Sequence, residues 1–401
     1  MKNIIKINKD LFYLGVQDRK ISLFEAVYPV LNGVSYNSYF LNDEKTVLFD
    51  TVDKHFDIQF FENLEAVLDG RTLDYFIINH LEPDHSALIK KVIERYPSVQ
   101  LVCNAKTKQM LFQFFEFEHD IESNFYVVKE GDVLSTGNHE FTFVMAPMVH
   151  WPEVMVTYDK TDKILFSADA FGSFGALSGN IFDNEVEFNS LIDEYRRYYT
   201  NIVGKYGVQV NALLNKASNL DIKMICPLHG LILKENILRL VDLYSKWANY
   251  TPEINSVLIA YASVYGGTQN AAEILANKLA QNGIKNIKLY DVSMIHHSYI
   301  LSDCFKYSHI VLASPTYNNS IFVKMEQFIS DILSHNLQNR TFALIENGSW
   351  APNCANNIKN RLQELKGTNF IENKLTIKST LKSNQEDEID NLVKEILRSL
   401  N

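Results

Sequence analysis

The chain has 401 residues, of which 46% are hydrophobic and 21% are charged, a balance typical of a soluble globular protein and not of a disordered chain. A chain of this length is expected to form two domains. The formal net charge of -10 argues against a nucleic-acid partner, because binding to phosphate groups requires a basic face.

The N-terminus and the cysteines indicate the cellular compartment. Lys2, Lys6, Lys9 and Asp10 interrupt the first apolar residues, which argues against a secretory signal. No later apolar run approaches the roughly 18 residues that would cross a membrane. The four cysteines include no C-x-x-C pair, so neither a disulfide framework nor a zinc ribbon is indicated. We therefore expect a cytoplasmic protein with reduced thiols and no membrane partner.

The first part of the chain, residues 1–250, alternates short β-type runs with helical patterns. Strands are predicted over residues 37–43, 45–51, 74–79, 99–104, 140–147 and 163–169, and helices over 56–68 and 85–96. The phenylalanine-rich run at 111–118 is interpreted as core packing. The pattern predicts a mixed α/β domain whose potential ligands lie at the ends of strands.

The pattern of predicted strands and helices changes near residue 250. Thr251 and Pro252 break the preceding helix, and strands then alternate regularly with helices. The predicted strands cover residues 256–262, 287–292, 309–315, 340–347 and 373–379. Such alternation is typical of a doubly wound parallel sheet, so the sequence predicts a second domain over residues 251–401.

A crowded loop, HLEPDH at residues 80–85, joins a predicted strand to a predicted helix. In an extended strand end His80, Glu82 and Asp84 lie on one side, and the turn into the helix brings His85 around. Taken alone, the loop is also compatible with an acidic helix cap. Three more potential ligands follow apolar runs elsewhere in the domain: His150, Asp169 and His229.

These seven side chains together predict a metal site, because two carboxylates buried side by side without a cation would be costly. Four imidazoles and three carboxylates form a mixed ligand set that suits two iron ions at least as well as zinc. A carboxylate such as Asp169 can bridge two ions. Zinc also accepts carboxylate ligands, so the residues alone leave the metal open.

Three loops at strand ends of the second domain carry hydroxyl, amide and aromatic side chains. The first leads into a helix, where hydroxyls and backbone N–H groups form a cradle for an anion. It is neither G-x-G-x-x-G nor a P-loop, which favours a terminal monophosphate. Aromatic residues on the other loops can sandwich a flat ring. The candidate residues are Ser263, Tyr265, Gly266, Gly267 and Thr268, then Pro315, Thr316, Tyr317 and Asn318, then Asn347, Gly348, Ser349 and Trp350.

The N-terminal pattern resembles the metallo-β-lactamase fold, whose zinc hydrolases carry H-x-H-x-D-H followed by a distant His, Asp and His. This chain has Glu82 at the second histidine position, which shifts the site toward oxygen ligands. The three later loops resemble the FMN-binding loops of flavodoxin. The expected fold class is α/β, with an N-terminal metallo-β-lactamase-like αββα sandwich and a C-terminal flavodoxin-like doubly wound parallel sheet.

Over nearly the whole chain, the two halves together resemble the flavodiiron proteins, also called A-type flavoproteins. The resemblance implies an oxidoreductase that reduces dioxygen to water, or nitric oxide to nitrous oxide, at a non-haem diiron centre fed with electrons by FMN. It implies that one iron is held by His80, Glu82 and His150, the other by Asp84, His85 and His229, and that Asp169 bridges them.

The resemblance also implies partners. In this family each FMN lies beside the diiron site of the other subunit, so we expect a head-to-tail homodimer or a tetramer built from it. Because the chain has no C-x-x-C knuckles of its own, the expected electron donor is a separate rubredoxin-like protein. The main alternative is a zinc-dependent hydrolase of the metallo-β-lactamase fold with a fused flavodoxin domain. The sequence leaves the preference between oxygen and nitric oxide open.

Overall fold

The computed structural model describes residues 2–400, which form two compact units. The first unit comprises the chain up to Tyr199 together with Val208–Ser245. The second comprises Thr200–Gly207 and the chain from Lys246 onward. Within residues 2–400, no helix is long and apolar enough to cross a membrane.

The first sixteen strands and seven α-helices lie before residue 249. The strands are β1 (Ile5–Lys6), β2 (Leu11–Tyr13), β3 (Val16–Asp18), β4 (Leu23–Phe24), β5 (Tyr28–Pro29), β6 (Val34–Tyr36), β7 (Tyr39–Asn42), β8 (Thr46–Phe49), β9 (Tyr75–Ile77), β10 (Gln100–Asn104), β11 (Phe125–Val128), β12 (Val133–Ser135), β13 (Glu140–Met145), β14 (Met155–Asp159), β15 (Ile164–Phe166) and β16 (Met224–Cys226). The helices are α1 (Asp57–Leu68), α2 (Pro83–Ser86), α3 (Ile89–Arg95), α4 (Ala105–Phe114), α5 (Ile192–Tyr198), α6 (Gly207–Ala217) and α7 (Ile237–Ala248).

Two main sheets build the first unit. The larger has the order β1-β2-β7-β8-β9-β10-β11, and the smaller has the order β12-β13-β14-β15-β16. Their inner faces interlock through aromatic rings, since Phe49 of β8 stacks on Phe166 of β15 with ring centroids 3.8 Å apart. Phe49 also meets Phe141 of β13 edge to face. This two-sheet core agrees with the predicted sandwich.

The described residues of the second unit form seven strands and five α-helices. They are β17 (Ile254–Tyr261), α8 (Gly267–Gln281), β18 (Lys288–Asp291), α9 (His297–Lys306), β19 (Tyr307–Tyr317), β20 (Ser320–Ile321), α10 (Val323–Ser334), β21 (Thr341–Asn347), α11 (Cys354–Leu362), β22 (Asn369–Phe370), β23 (Leu375–Ile377) and α12 (Glu386–Leu400).

The sheet of the second unit has the order β18-β17-β19-β21, followed by β22 and β23, which both pair with β21. All of these pairs are parallel. Counted along the chain, the strand order is 2-1-3-4-5, the order of the flavodoxin-like fold. Apolar residues of α8 and α12, among them Leu275 and Leu392, pack with Ile259 and Ile345 of the strands. The predicted fold class is therefore confirmed for both parts of the chain.

Two local predictions for the first unit are wrong. The helix predicted over 85–96 is two helices, because α2 ends before α3 begins at Ile89. Beyond Leu111 the run at 111–118 is not core, since Phe112 is 50% exposed and Phe114 is 41% exposed. Helix α4 buries Thr107 and Leu111, four positions apart on one face, but it ends at Phe114, so its buried face does not continue through the rest of the run.

Candidate functional site

The structure brings all seven predicted metal-ligand residues together in the first unit. Each lies in a loop or short helix that follows a strand: four after β9, one after β13, one after β15 and one after β16. They fall into two groups, within which the potential ligand atoms lie within 4.8 Å of one another. The first group contains His80, Glu82, His150 and Asp169, and the second contains Asp84, His85 and His229.

In the first group, two imidazoles face two carboxylates. His150 Nε2 lies 3.1 Å from Glu82 Oε2 and 3.1 Å from Asp169 Oδ2. His80 Nε2 lies 3.4 Å from the same two oxygens. Two nitrogens and two oxygens therefore point at one position, as the ligands of a divalent transition metal do.

In the second group, two imidazoles and one carboxylate face each other. The Nε2 atoms of His85 and His229 are 2.9 Å apart, and each lies 3.3 Å from Asp84 Oδ2. Both nitrogens also lie 3.8 Å from Asp169 Oδ1. Asp169 thus turns Oδ2 to the first group and Oδ1 to the second, so that one carboxylate faces both.

The donor set fits metal ions. Asp84 Oδ1 and Asp169 Oδ1 are buried and have no hydrogen-bond partner within residues 2–400. A buried carboxylate oxygen without a partner is costly unless a cation lies beside it. The ion pairs that the described residues make with Glu82, Asp84 and Asp169 involve histidines alone, so no lysine or arginine supplies that cation.

Electrostatics support the same conclusion. Burial lowers the pKa of His80, but Asp169 and neighbouring carboxylates outweigh burial and hold it well above its usual value. For His150, burial again lowers the pKa, while Asp169 and Glu82 raise it to about 9. Burial raises the pKa of Asp169, yet His80 and His150 keep it well below its usual range. The site therefore favours positive charge beside its carboxylates.

Two carboxylates that the sequence analysis did not single out hold the first loop in place. Asp50, directly after β8, accepts hydrogen bonds from the backbone N–H groups of Asn79 at 2.8 Å and His80 at 3.2 Å. Glu153 Oε1 accepts a hydrogen bond from the Leu81 N–H at 2.9 Å and lies 2.9 Å from His80 Nδ1. Asp50 ends an apolar strand and could have been found by that pattern, whereas Glu153 lies in a loop that carries no such signal.

The three predicted loops of the second unit line one cavity of about 580 Å³. Every predicted residue except Gly266 lines it; Gly266 instead caps α8 with a φ of +86°. The rings of Tyr265, Tyr317 and Trp350 line the cavity and are at least half exposed, as expected of side chains that cover a flat ring. The cavity residues that were not predicted are Val264, Asn319, Ala351 and Ser379.

Asn347 connects the cavity loops through hydrogen bonds. Its Nδ2 donates to Thr268 Oγ1 at 3.2 Å and to the Ser379 carbonyl at 3.0 Å, and its Oδ1 accepts from the Ser379 N–H at 2.9 Å. Gly267 passes close to the same segment, since an added Cβ would lie 2.1 Å from the Ser379 oxygen. The N-terminus of α8 is thereby held at the cavity, where its N–H groups suit a phosphate.

Comparisons with known proteins agree with this architecture. Residues 34–230 match the ODP family beta lactamase model, and residues 259–391 match the Flavodoxin model. The anaerobic nitric oxide reductase flavorubredoxin of Pectobacterium atrosepticum is 31% identical over 370 residues, which cover 90% of this chain and 71% of the relative. The protein of the same name from Vibrio vulnificus is 32% identical, over 90% of this chain and 73% of the relative.

Two solved structures are similar over almost their whole length. The rubredoxin oxygen:oxidoreductase of the anaerobe Desulfovibrio gigas has a TM-score of 0.92 and 27% identity, covering 99% of this chain and 98% of that one. A variant of the flavo di-iron protein of Thermotoga maritima has a TM-score of 0.89 and 25% identity, covering 99% of each chain. With curated relatives above 30% identity over most of both sequences, the chain belongs to the flavodiiron protein family.

Proposed function

We propose that the chain is an oxidoreductase that reduces dioxygen to water, nitric oxide to nitrous oxide, or both, at a diiron centre supplied with electrons by FMN. The observation that carries the proposal is the position of Asp169, whose two oxygens face two separate groups of imidazole and carboxylate side chains. Glu82 supports iron over the zinc hydrolase alternative, because it adds an oxygen ligand where those hydrolases carry histidine.

In this proposal each group of ligands holds one iron. A pair of ferrous ions supplies two electrons and reduced FMN supplies two more, which together balance the four that dioxygen needs to become water. The first iron is assigned to His80, Glu82 and His150, the second to Asp84, His85 and His229, and Asp169 is assigned to both.

The chain itself contributes orientation and a dry environment. His229 Nδ1 lies 2.7 Å from the Ser35 carbonyl oxygen, and His80 Nδ1 lies 2.9 Å from Glu153. Each of these contacts holds an Nδ1–H and leaves Nε2 free to face the site. His80, Asp169 and His229 have no exposed surface, so these three side chains are shielded from bulk water and the electrostatic interactions between them are strong.

The cavity of the second unit is proposed as the FMN site. Gly267 and Thr268 at the start of α8 suit the terminal phosphate, and the aromatic residues suit the isoalloxazine ring. The proposed functional domains are residues 1–250 for the diiron centre and 251–401 for FMN. The proposed contacts are Ser263, Tyr265, Gly266, Gly267, Thr268, Pro315, Thr316, Tyr317, Asn318, Asn347, Gly348, Ser349 and Trp350.

The proposed partners are an external electron donor and a second copy of the chain. The names of two similar proteins, flavorubredoxin and rubredoxin oxygen:oxidoreductase, support a donor of the rubredoxin class. A head-to-tail homodimer, or a tetramer built from it, would place each FMN beside the diiron site of the other copy. The proposed location is the cytoplasm.

The test is to measure iron and FMN per chain, reduce the protein without oxygen, and compare its turnover with each gas. We expect two irons and one FMN per chain, and consumption of at least one gas by the reduced protein. Stoichiometric zinc with hydrolytic turnover would instead support the hydrolase alternative. A fully active monomer in size-resolved activity measurements would contradict the dimer.

A further inference from the structure

Glu153 is a buried carboxylate directly behind one of the proposed iron ligands. Its Oε1 lies 2.9 Å from His80 Nδ1, on the side of the ring opposite the Nε2 atom that faces Glu82. The Glu153 side chain has no exposed surface. The His80 ring and the Leu81 N–H therefore converge on one buried oxygen of Glu153.

This carboxylate has few other partners. The one ion pair that the described residues make with Glu153 is the pair with His80. Its second oxygen, Oε2, is buried and has no hydrogen-bond partner within residues 2–400. His80 is thus the one ionisable partner of this buried side chain, and a buried carboxylate is costly unless positive charge lies beside it.

Among residues 2–400, no equivalent carboxylate lies behind the second group of ligands. His229 Nδ1 faces the neutral carbonyl of Ser35 at 2.7 Å. His85 Nδ1 is buried and has no hydrogen-bond partner in the described part of the chain. A carboxylate that accepts the Nδ1–H makes the opposite nitrogen of an imidazole a stronger donor to a metal than a neutral carbonyl does.

We infer that Glu153 is a positioning residue that makes the two iron positions unequal, by strengthening the His80 ligand of the first position alone. The inference rests on the proposed diiron function. Of the two positions, the one held by His80, Glu82 and His150 binds ferrous iron more tightly and fills first. It also holds the iron that is more easily oxidised, because stronger donation favours the higher charge.

A purely structural role for Glu153 makes a different prediction. Its Oε1 also accepts the Leu81 N–H, so its loss could loosen the whole loop that carries His80, Glu82, Asp84 and His85. A loosened loop would weaken both iron positions together. Glu153→Gln separates the two roles, because the amide oxygen can accept the same two hydrogen bonds without the negative charge.

The experiment titrates metal-free, FMN-loaded protein with ferrous iron under anaerobic conditions. Iron affinity is measured by competition with a chelator, and the two positions are distinguished by Mössbauer spectroscopy. The variants are Glu153→Gln and Glu153→Ala. The matched control is Asp159→Asn, which removes the same charge from a carboxylate 2.8 Å from the buried His139, outside the seven ligands.

In the wild type we expect two iron signals that appear in order. In Glu153→Gln the dissociation constant of the first position should rise about tenfold, and in Glu153→Ala by up to about 100-fold, with less than a twofold change at the second. Asp159→Asn should leave both positions unchanged. Glu153→Gln decides the result if the alanine variant does not fold.

Two results would overturn the inference: wild-type iron binding in Glu153→Gln, or equal weakening of both positions. Failure of the proposed function is a separate result, because it appears in the wild type as fewer than two bound irons, and it removes the basis of the inference as well.

Discussion

Asp169 lies with one carboxylate oxygen, Oδ2, 3.1 Å from His150 Nε2 and with the other, Oδ1, turned toward His85 and His229. The side chain is fully buried and lies in the loop that follows β15. A carboxylate that faces both sets of imidazoles would bind both irons of the proposed centre.

The first prediction concerns this carboxylate. Asp169→Asn keeps the size of the side chain but removes the charge that faces both groups. We expect iron binding to weaken by at least about tenfold, with loss of at least one iron per chain and of gas reduction, because a ligand shared by two cations is lost. FMN content should remain at the wild-type value, since the flavin cavity is built from the other unit. Metal analysis and flavin absorbance check both expectations; an Asn variant with two irons and full turnover would refute the assignment.

A second prediction concerns the identity of the metal. Glu82→His recreates the second histidine of the zinc hydrolase motif and replaces the carboxylate that lies 3.1 Å from His150. We expect the ratio of zinc to iron affinity to rise by about tenfold or more, because imidazole is a softer ligand than carboxylate. The measurement is competitive loading of the metal-free protein with both ions. Glu82→Asp serves as the control, since it retains the oxygen ligand; an unchanged ratio in Glu82→His would show that this position does not select the metal.

The sequence predicts a site residue when the pattern of its immediate neighbours marks it. Asp169 and His229 were predicted because each is a polar residue that follows an apolar strand, a pattern that can be recognised without knowledge of the fold. Glu153 and Ser379 were missed, because they act through contacts with residues 73 and 32 positions away. Ser379 was even assigned to a strand over 373–379, although β23 ends at Ile377. Long-range contacts of this kind leave no periodic pattern in the sequence.

A third prediction tests the flavin cavity. Gly267→Ala would place a Cβ 2.1 Å from the backbone oxygen of Ser379, which must shift and disturb the hydrogen bonds of Asn347. We expect FMN affinity to fall about tenfold or more while both irons remain bound. Gly283→Ala is the matched control, because Gly283 has a φ of +90° and open space around it. Backbone strain there costs about 1 kcal/mol without touching the cavity, so equal loss of FMN in both variants would contradict this explanation.

A fourth prediction concerns the stability of the second unit. The buried guanidinium of Arg340 donates to five backbone carbonyls, those of Tyr250, Cys304, Phe305, Gln338 and Asn339. Burial lowers its pKa to about 10, so it stays charged at neutral pH. Arg340→Met leaves these carbonyls without their donor and should lower the free energy of unfolding by about 3 to 5 kcal/mol.

The matched control for Arg340 is Arg361→Met, which removes a half-buried surface pair with Glu326 and should lower the free energy of unfolding by less than about 1 kcal/mol. Urea unfolding followed by flavin release measures both variants. If Arg340→Met unfolds at the same urea concentration as Arg361→Met, the buried hydrogen bonds contribute no net stability.

The last prediction concerns pH. His309, at the start of β19, is buried, and burial lowers its pKa to about 4. Its ring nitrogens contact the neutral hydroxyls of Ser308 and Ser399, and no carboxylate among the described residues pairs with it, so nothing there offsets the cost of burying the charged form. The unfolded chain takes up a proton near pH 6.5, whereas the folded chain does so only near pH 4. The contribution of His309 to the free energy of unfolding is therefore complete above pH 6.5 and declines as the pH falls from 6.5 to 4.

His309→Gln keeps a polar group and cannot titrate. The free energy of unfolding of the wild type should therefore fall by about 1 to 2 kcal/mol more than that of the variant over that range, after allowance for solvent screening. Urea unfolding of both proteins at pH 7 and pH 4.5 measures the difference. Equal decreases in the free energy of unfolding would show that His309 does not cause the pH dependence.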